Sequence, residues 1–375
     1  MADKMNIAQV ATSWIRVPPA DYGGAELIVS QITEGLVSRG HQVTLFASGD
    51  SVTRSKLVSC IPKAPGVGLE TLNDINLRSR YYKTSLEPLL LNNNFDVIHW
   101  HVSYDLLPYL AAQLSRDIPA VVTFHNFFPG TENILENTRS CNIAISKSSQ
   151  KIIPVDFCSY VYNGINLDDF QYIENYEGEN IIWLGRFSPV KGTDVVIKIA
   201  NQMHKPALLA ANPSQNDYYT KVIVPALKRS KYAKFIGPVG GSKKSNVLGD
   251  ARLFLNPIDW EEQFGLVVPE ANACGTPVVA YARGAMPELI KDGITGFLVN
   301  PSAGDKRGNW IVKKSGIEGM VEAVKKIYDM PESEYRAMRK ACREHVEKNF
   351  TVEKMVSGYE EVYKKVIKDW TNKQK

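Results

Sequence analysis

The sequence predicts an α/β protein built from two doubly wound parallel sheets. The chain has 375 residues, of which 44% are hydrophobic, and this is enough for two domains with separate cores. Short β-rich runs alternate with helical patterns from end to end, which is typical of parallel sheets covered by helices. The alternation stops at a polar stretch near the middle of the chain and then starts again. We therefore expect two domains of the same class.

Each domain is predicted from its own series of strand-like runs. The first series begins with the strand-like run MNIAQVA, which is followed by the helical segment AELIVSQITEGLVSRG. The later strand-like runs of this series are HQVTLFA, FDVIHWH, AVVTFHN and NIAIS. The second series comprises NIIWLGRF, ALLAA, AKFIGP, ARLFLNP, TPVVAYA and TGFLV. The stretch NGINLDDFQYIENYEGEN between them is polar and rich in Asn and Gly, and it predicts the crossing from one domain to the other near Ile173. The predicted domains are residues 1–172 and 173–350, followed by a C-terminal helix over 351–375.

The C-terminal helix carries one apolar stripe. Met355, Tyr359, Val362 and Val366 recur at helical spacing with charged residues between them. The stripe must pack on a core. The residues alone leave open which of the two domains provides it.

Composition and charge exclude several classes of function. A net charge of +4 without a basic block gives no reason to expect nucleic-acid binding. The five cysteines are scattered and form no CxxC pair, which favours reduced thiols. The sequence MADKMNIAQVATSW has no apolar signal region, and no transmembrane segment is predicted, so we expect a cytoplasmic protein. The absence of GxGxxG removes the main support for a dehydrogenase.

The segment WEEQFGLVVPEANACGTPVVA is the most informative part of the chain. Glu262 and Glu270 are separated by seven residues, at a point where an irregular stretch turns into a helix predicted to begin near Gly265. The free amides at such a helix start attract phosphate. Both carboxylates are strong acceptors for sugar hydroxyls. A solvated pair of glutamates beside a buried helix is the alternative that these residues leave open.

Two further segments carry residues suited to an anionic ligand. Gly23 and Gly24 end the loop VPPADYGG before a helix, where backbone can approach a ligand closely. Arg186 and Lys191 lie in LGRFSPVKG, after the first strand of the second series. Ligands of open α/β sheets bind at the carboxyl ends of the strands, so these two cations are placed to neutralise a diphosphate.

Three histidines lie at the ends of two strands in the first domain. His99 and His101 share one face of FDVIHWH, and His125 ends VVTFH. A metal site is the less favoured interpretation, because no Cys or carboxylate has matching spacing. We expect His125 to be functional and His99 to be structural.

Together these segments resemble the large family of retaining glycosyltransferases called family four. The resemblance rests on the Glu-x7-Glu segment, on LGRFSPVKG, and on FDVIHWH, VVTFHN, VYNGINLDDF, KFIGPVGG and GAMPELIKDGITGFLV. It implies the GT-B architecture, in which two Rossmann-like domains face a central cleft and the last helix crosses back to the N-terminal domain. VPPADYGGAE and ASGDS resemble the avilamycin and pterin glucosyltransferases in particular.

The resemblance also implies roles for individual residues. Glu262 and His125 would contact the transferred sugar, while Arg186 and Lys191 would stabilise the departing phosphate. Glu270 would hold the ribose hydroxyls. The other residues implied on the donor side are Gly23, Gly24, Phe264, Gly265, Leu266, Val267, Ile236 and Gly237, and those on the acceptor side are Tyr22, His101 and Asn126. Glu261 competes for the sugar role, but only Glu262 has the required spacing.

The expected partners are a nucleotide-sugar donor, with UDP-glucose favoured and GDP-mannose open, and a small-molecule, glycan or lipid acceptor. No cofactor and no metal are expected, because the chain has no Asp-x-Asp motif. Retention of configuration, with front-face attack, is implied by the resemblance. A sugar phosphorylase, a nucleotide-sugar epimerase and a non-catalytic binding protein are the alternatives.

The acceptor pocket is expected in the first domain, around residues 57–82 and 126–137. Basic residues in and near the first of these segments leave weak contact with a membrane surface open: Arg54, Lys56, Lys63, Arg78, Arg80 and Lys83. The sequence does not predict an oligomeric state.

Overall fold

The protein was analysed as a computed structural model, which describes residues 4–12, 14–20, 23–59, 61–64, 86–91, 94–102, 107–115, 117–126, 139–174 and 178–374. The chain divides into two compact units. The first unit contains residues 1–164 and 352–375, and the second contains residues 165–351.

The first unit is built on a parallel sheet with strand order β3-β2-β1-β4-β5-β6-β7. Its strands are β1 Asn6–Val10, β2 Gln42–Ala47, β3 Lys56–Ser59, β4 Val97–Val102, β5 Ala120–Phe124, β6 Cys141–Ala144 and β7 Ser159–Tyr160. Its helices are α1 Gly24–Ser38, α2 Glu87–Leu91, α3 Leu107–Leu114, α4 Lys147–Ile152 and the last helix of the chain, α12 Val352–Gln374. β1, β4 and β5 are buried on both faces and mostly apolar, as expected for strands covered by helices on each side. Their buried polar exceptions are Gln9, His99, His101 and Thr123.

The second unit repeats this design with strand order β10-β9-β8-β11-β12-β13. Its strands are β8 Asn180–Leu184, β9 Ala207–Ala210, β10 Ala233–Gly237, β11 Ala251–Asn256, β12 Val278–Tyr281 and β13 Gly296–Val299. Its helices are α5 Thr193–Met203, α6 Val224–Arg229, α7 Gly241–Gly249, α8 Val267–Ala273, α9 Met286–Leu289, α10 Gly316–Tyr328 and α11 Glu332–Asn349. Every strand pairing in both sheets is parallel. The strand order reverses between β1 and β4 in the first sheet and between β8 and β11 in the second. The two Rossmann-like halves of the predicted α/β fold are therefore present.

The boundary between the units lies earlier than the sequence predicted. Residues 165–172 belong to the second unit, not to the first. The amide of Ile165 donates to the Phe350 carbonyl at 2.7 Å, and Arg343 donates to the Phe170 carbonyl at 2.7 Å. These contacts with α11 and the residues after it tie the polar stretch to the second unit, a link that local composition does not reveal.

The apolar stripe of α12 packs on the sheet of the first unit. Tyr359 and Tyr363 are fully buried, and Met355 is almost so. The Tyr363 hydroxyl contacts Gln9 on β1 and His99 on β4, and the Tyr359 hydroxyl contacts Thr123 on β5. Met355 accepts a hydrogen bond from the Gly164 amide, after β7. The last helix is thus an integral part of the first unit.

Candidate active site

The residues singled out in the second domain lie at one edge of its sheet. The segments with Arg186 and Lys191 follow β8, and the segment with Glu262 follows β11. β8 and β11 are neighbours, and the strand order reverses between them. Ligands of doubly wound sheets bind outside the carboxyl ends of the strands at such a point. The fold therefore collects these side chains where a ligand is expected.

Lys191 and Glu262 form an ion pair at this edge. Lys191 Nζ lies 2.5 Å from Glu262 Oε2, and the two side chains are 22% and 19% exposed. A pair so shielded from water interacts more strongly than one on an open surface. The Lys191 ammonium and the Glu262 carboxylate are therefore adjacent, so that one ligand could contact both.

The two loops that carry this pair are locked together through their backbones. The Asp259 amide donates to the Val190 carbonyl at 2.8 Å, and Trp183 Nε1 donates to the Lys191 carbonyl at 3.1 Å. Gly192 has φ +65°, and a Cβ there would lie 2.3 Å from the Pro257 carbonyl oxygen. Only glycine allows this approach. The position of Lys191 is thus set by rigid contacts on both sides.

A second glycine holds the backbone of Glu262. Gly284 follows β12 with φ +55°, and a Cβ at this position would lie 2.1 Å from the Glu262 carbonyl oxygen. The next amide, that of Ala285, donates to the same oxygen at 2.8 Å. The loop after β12 therefore supports the loop after β11, a role of Gly284 that no local sequence pattern indicates.

Glu261 is committed to a separate charge cluster. Its carboxylate accepts from the Gly284 amide at 2.7 Å, and it pairs with Arg283 at 3.2 Å and with Arg307 at 2.9 Å. Arg283 also pairs with Asp259 at 2.8 Å. Because both oxygens of Glu261 are used, Glu262 is the better candidate for a ligand. Sequence spacing alone gave no signal for Arg283 or Arg307.

The helix after the Glu262 loop begins later than predicted. α8 starts at Val267 and not near Gly265, because Gly265 has φ +87°, which is incompatible with a helix. Glu270 consequently lies in the first turn of α8 and not one to two turns inside it. Val268 donates to the Gly265 carbonyl at 3.0 Å, whereas the amides of Gly265, Leu266 and Val267 donate to none of the residues that the structure describes. Phe264 is buried and packs edge-on against Phe350 at 6.0 Å.

Glu270 is buried and has a lysine partner that its sequence spacing does not indicate. Lys244 Nζ lies 2.5 Å from Glu270 Oε2, and the glutamate side chain is only 4% exposed. Lys244 belongs to α7, and its ammonium also lies 5.8 Å from the centre of the Phe170 ring. The nearby cation offsets the cost of burying the carboxylate, whose oxygens are strong hydrogen-bond acceptors.

The remaining predicted donor-side residues of the second unit are accessible at the same edge. Arg186 is exposed directly after β8 and has no charged partner among the described residues. Ile236 and Gly237 end the edge strand β10 and are half-buried. Gly237 has φ +76°, and a Cβ there would have no neighbour within 4 Å. Ligand groups can therefore reach the backbone of this strand end.

In the first unit, the structure places His101 and His125 together. The two rings are stacked with centres 5.2 Å apart, and His101 Nδ1 lies 3.0 Å from His125 Nε2. Burial lowers the pKa of His125 to about 4, so the ring is neutral at pH 7. Asn126 is exposed after β5, and Gly23 and Gly24 begin α1. Tyr22 lies outside the described residues, as do most of the segments expected to build the acceptor pocket.

The described residues contain no group of three or more His, Cys, Asp or Glu side chains suited to a metal ion. None of the described helices combines the length and the apolar character needed to cross a membrane. Arg54, one of the basic residues considered for membrane contact, pairs with Glu34 at 2.6 Å. Arg78, Arg80 and Lys83 lie outside the described residues.

Family profiles and solved structures identify what the chain resembles. The profile described as glycosyl transferases group 1 matches residues 165–345, and the profile of glycosyltransferase family 4 matches residues 22–169. The D-inositol 3-phosphate glycosyltransferase of Mycolicibacterium smegmatis is 25% identical, with 82% of this chain and 81% of the relative covered. The N-acetyl-alpha-D-glucosaminyl L-malate synthase of Bacillus anthracis is 25% identical, with 93% and 96% covered.

Three solved structures share the fold. They are sucrose-phosphate synthase of Thermosynechococcus elongatus (TM-score 0.78, 19% identity, 98% of this chain and 100% of that chain), AviGT4 of avilamycin A biosynthesis (0.67, 19%, 97% and 98%) and HepE of Anabaena in complex with UDP-glucose (0.70, 18%, 96% and 100%). The two family profiles together span nearly the whole chain, and the structures match both halves. The chain belongs to the group 1 glycosyltransferases of family 4 and is a GT-B enzyme that transfers glycosyl groups.

Proposed function

We propose that the protein transfers a hexose from a nucleoside diphosphate sugar to an acceptor hydroxyl, with retention of configuration and without a metal ion. The ion pair between Lys191 and Glu262 carries this proposal. In a nucleotide sugar, the anomeric carbon of the sugar is bonded to the β-phosphate. A cation for that phosphate and an acceptor for the sugar hydroxyls must therefore be neighbours, and these two side chains are 2.5 Å apart.

The diphosphate fits the groups around this pair. When the bond between the anomeric carbon and the β-phosphate oxygen breaks, negative charge grows on the departing phosphate. Lys191, Arg186 and the amides of Gly265 to Val267 are donors fixed before the reaction, and preorganised donors of this kind stabilise such charge most effectively. These groups supply the positive charge that a divalent metal supplies in other transferases.

The nucleoside is assigned to the neighbouring end of the site. Glu270 is buried, paired with Lys244, and suited to accept hydrogen bonds from the two ribose hydroxyls. Ile236 and Gly237 leave open backbone for the base. UDP-glucose is the favoured donor, because HepE, which shares the fold, was solved with UDP-glucose; GDP-mannose is the second candidate. His125 in the first unit is assigned to the transferred sugar.

The acceptor is a small molecule, a glycan or a lipid. A sugar phosphorylase or an epimerase would use the same fold, but a phosphorylase needs no site for a ribose. The Glu270–Lys244 pair therefore favours a transferase that uses a nucleotide donor. A non-catalytic binding protein is disfavoured by the ion pair at Lys191, which serves the leaving group and is not required for holding a nucleoside.

The test is a donor panel of UDP-glucose, UDP-galactose, GDP-mannose and ADP-glucose, with slow hydrolysis of the donor as the readout that needs no known acceptor. We expect one donor to be cleaved in the presence of EDTA, with the α-anomer formed first as seen by proton NMR. Lys198→Ala, which removes an exposed lysine paired with Asp194 on α5, is the matched control for Lys191→Ala. Release of glucose 1-phosphate from a glycan with inorganic phosphate, and no donor cleavage, would establish the phosphorylase instead.

A further inference from the structure

A chain of hydrogen bonds connects His125 to the last helix of the protein. His101 Nδ1 lies 3.0 Å from His125 Nε2, and His101 Nε2 lies 2.7 Å from the side-chain oxygen of Gln9 on β1. The side-chain nitrogen of Gln9 donates to the hydroxyl of Tyr363 on α12 at 2.9 Å. All four side chains are at least 94% buried, so water does not compete for these bonds.

The chain continues beyond Tyr363 to a second tyrosine. The Tyr363 hydroxyl lies 2.7 Å from His99 Nδ1, and His99 Nε2 lies 2.7 Å from the Thr123 hydroxyl. Thr123 in turn lies 3.0 Å from the hydroxyl of Tyr359, one helical turn before Tyr363 on α12. Tyr359 is therefore the last member of this series of hydrogen bonds. Among the described residues, it forms no direct hydrogen bond with Gln9.

The direction of the bonds fixes where each proton lies. Burial keeps the pKa of His99 and His101 well below the ordinary value, as it does for His125, so each ring is neutral and has one donor and one acceptor nitrogen. The oxygen of Gln9 can only accept, so His101 carries its proton on Nε2. Its Nδ1 then accepts, and His125 must donate from Nε2. The Nδ1 atom of His125 is thereby left without a proton.

The donor and acceptor roles in these hydrogen bonds can be exchanged only if all of them are exchanged together. If the Gln9 amide alone turned over, its NH2 group would face the proton on His101, and its oxygen would face Tyr363. A buried donor that meets a donor is costly. In the observed orientation, the nitrogen of Gln9 donates to the Tyr363 hydroxyl while its oxygen faces His101 and determines the tautomer of that ring.

We propose that Gln9 and Tyr363 are positioning residues that hold His125 as the tautomer with its proton on Nε2. The proposal deepens the proposed function, because the role of the His125 ring at the sugar rests on it. The last helix of the chain then contributes to the reaction through a side chain that touches no substrate. The hydrogen bond between Gln9 and Tyr363 joins β1 to this helix over a separation of 354 residues.

The experiment uses the full-length chain labelled with 15N-histidine. Two-bond 1H–15N correlation spectra at pH 7.5 report which nitrogen of each ring carries the proton, and His125→Asn assigns the signals of His125. In the wild type we expect a single Nε2-protonated tautomer for His125. In Gln9→Leu and in Tyr363→Phe we expect a mixture of both tautomers. Both variants should lower kcat of donor cleavage about tenfold, the equivalent of one hydrogen bond, with the donor Kd changed less than twofold.

Tyr359→Phe is the matched control, since it removes the same hydroxyl from the same helix at a fully buried position. It should leave the His125 tautomer and kcat as in the wild type. An unchanged His125 tautomer in folded Gln9→Leu and Tyr363→Phe proteins would overturn the proposal, and so would equal changes in Tyr359→Phe and Tyr363→Phe. A shifted tautomer in a protein that cleaves no donor would uphold the hydrogen-bond chain and count against the proposed function.

Discussion

The two units use the same fold to hold polar groups in opposite ways. In the first unit, His101 and His125 lie at the ends of strands, and burial keeps both rings neutral by lowering their pKa. The two rings are hydrogen-bonded to one another, and His101 is also hydrogen-bonded to Gln9. In the second unit, Lys191 and Glu262 lie on loops beyond the strand ends, remain charged, and face each other as an ion pair. The hydrogen bonds of the first unit determine which ring nitrogen carries a proton, and the ion pair of the second unit holds two opposite charges in place.

The difference follows from the position of each group relative to the sheet. A side chain inside a parallel sheet is surrounded by apolar layers, where an ionised group would be costly, so polar side chains there are neutral and hydrogen-bonded. A side chain on a loop at the carboxyl edge keeps contact with water and can stay charged. The fold thus accounts for the neutral, hydrogen-bonded histidines of the first unit and for the ion pair of the second.

The largest effect is expected from removing the cation of the second unit. Lys191→Ala should lower kcat of donor cleavage by on the order of 10²–10³, because an interaction that strengthens as charge grows on the phosphate cannot be replaced by more substrate. Steady-state kinetics separate kcat from KM. Normal kcat with only a raised KM would show that Lys191 binds the ground state and the transition state equally, and Lys198→Ala should leave both constants unchanged.

A comparably large effect is expected from a glycine that touches no substrate. Gly284→Ala places a Cβ 2.1 Å from the Glu262 carbonyl oxygen and must displace that loop, so kcat/KM should fall about 10²-fold, as expected for a shift of about 1 Å in a reacting group. Gly241→Ala is the control, since Gly241 has a similar φ of +51° but no neighbour within 4 Å of the added Cβ. Equal losses in the two variants would point to backbone strain and not to the Glu262 loop.

A smaller effect is expected from Glu270. Glu270→Ala should weaken nucleotide binding by about 1.5–3 kcal/mol, the range for hydrogen bonds to charged groups. Calorimetric titration with the nucleoside diphosphate measures this, and Glu344→Ala, which removes an exposed glutamate on α11, serves as the control. Unchanged affinity in a folded Glu270→Ala protein would remove Glu270 from the site.

The neutral histidines of the first unit make its stability depend on pH. The pKa of His125 is lowered from 6.5 to about 4 in the folded protein, so the unfolded chain binds more protons below about pH 6.5. The contribution of the neutral His125 ring to the free energy of unfolding is fully present above that pH and is lost as the pH falls toward 4. From pH 7 to pH 5, one such ring should cost about 2 kcal/mol. Urea unfolding at both pH values measures the loss, which His125→Gln should reduce; an identical loss in that variant would show that His125 is not the group responsible.

The same contrast explains what the sequence could predict. The charged site of the second unit is encoded locally, by a Glu-x7-Glu spacing and by basic residues after one strand, and so Glu262, Glu270, Lys191 and Arg186 could be singled out. The α/β fold was likewise visible in the alternation of strand and helix patterns. Lys244 could not be paired with Glu270, because the contact joins two helices whose packing has no local signal.

The other features that the sequence did not predict depend on contacts between residues that are distant along the chain. Gln9 and Tyr363 meet only after the last helix packs on the sheet, and neither residue stands out from its neighbours in the sequence. Gly284 is one of 26 glycines, and its role depends on the backbone of Glu262 lying against it. The start of α8 was predicted near Gly265 but lies at Val267, because Gly265 has a left-handed conformation that the local sequence pattern does not reveal.

The central claim is that fixed protein charges in the second unit bind a nucleoside diphosphate without metal. The most direct measurement is a titration of the wild-type protein with UDP, GDP and ADP in EDTA, repeated with excess Mg²⁺ and with Glu270→Ala. We predict that one of the three binds with one molecule per chain, that Mg²⁺ leaves the affinity unchanged, and that Glu270→Ala weakens it. Binding that requires Mg²⁺ or Mn²⁺, or that is unaffected by Glu270→Ala, would contradict the account.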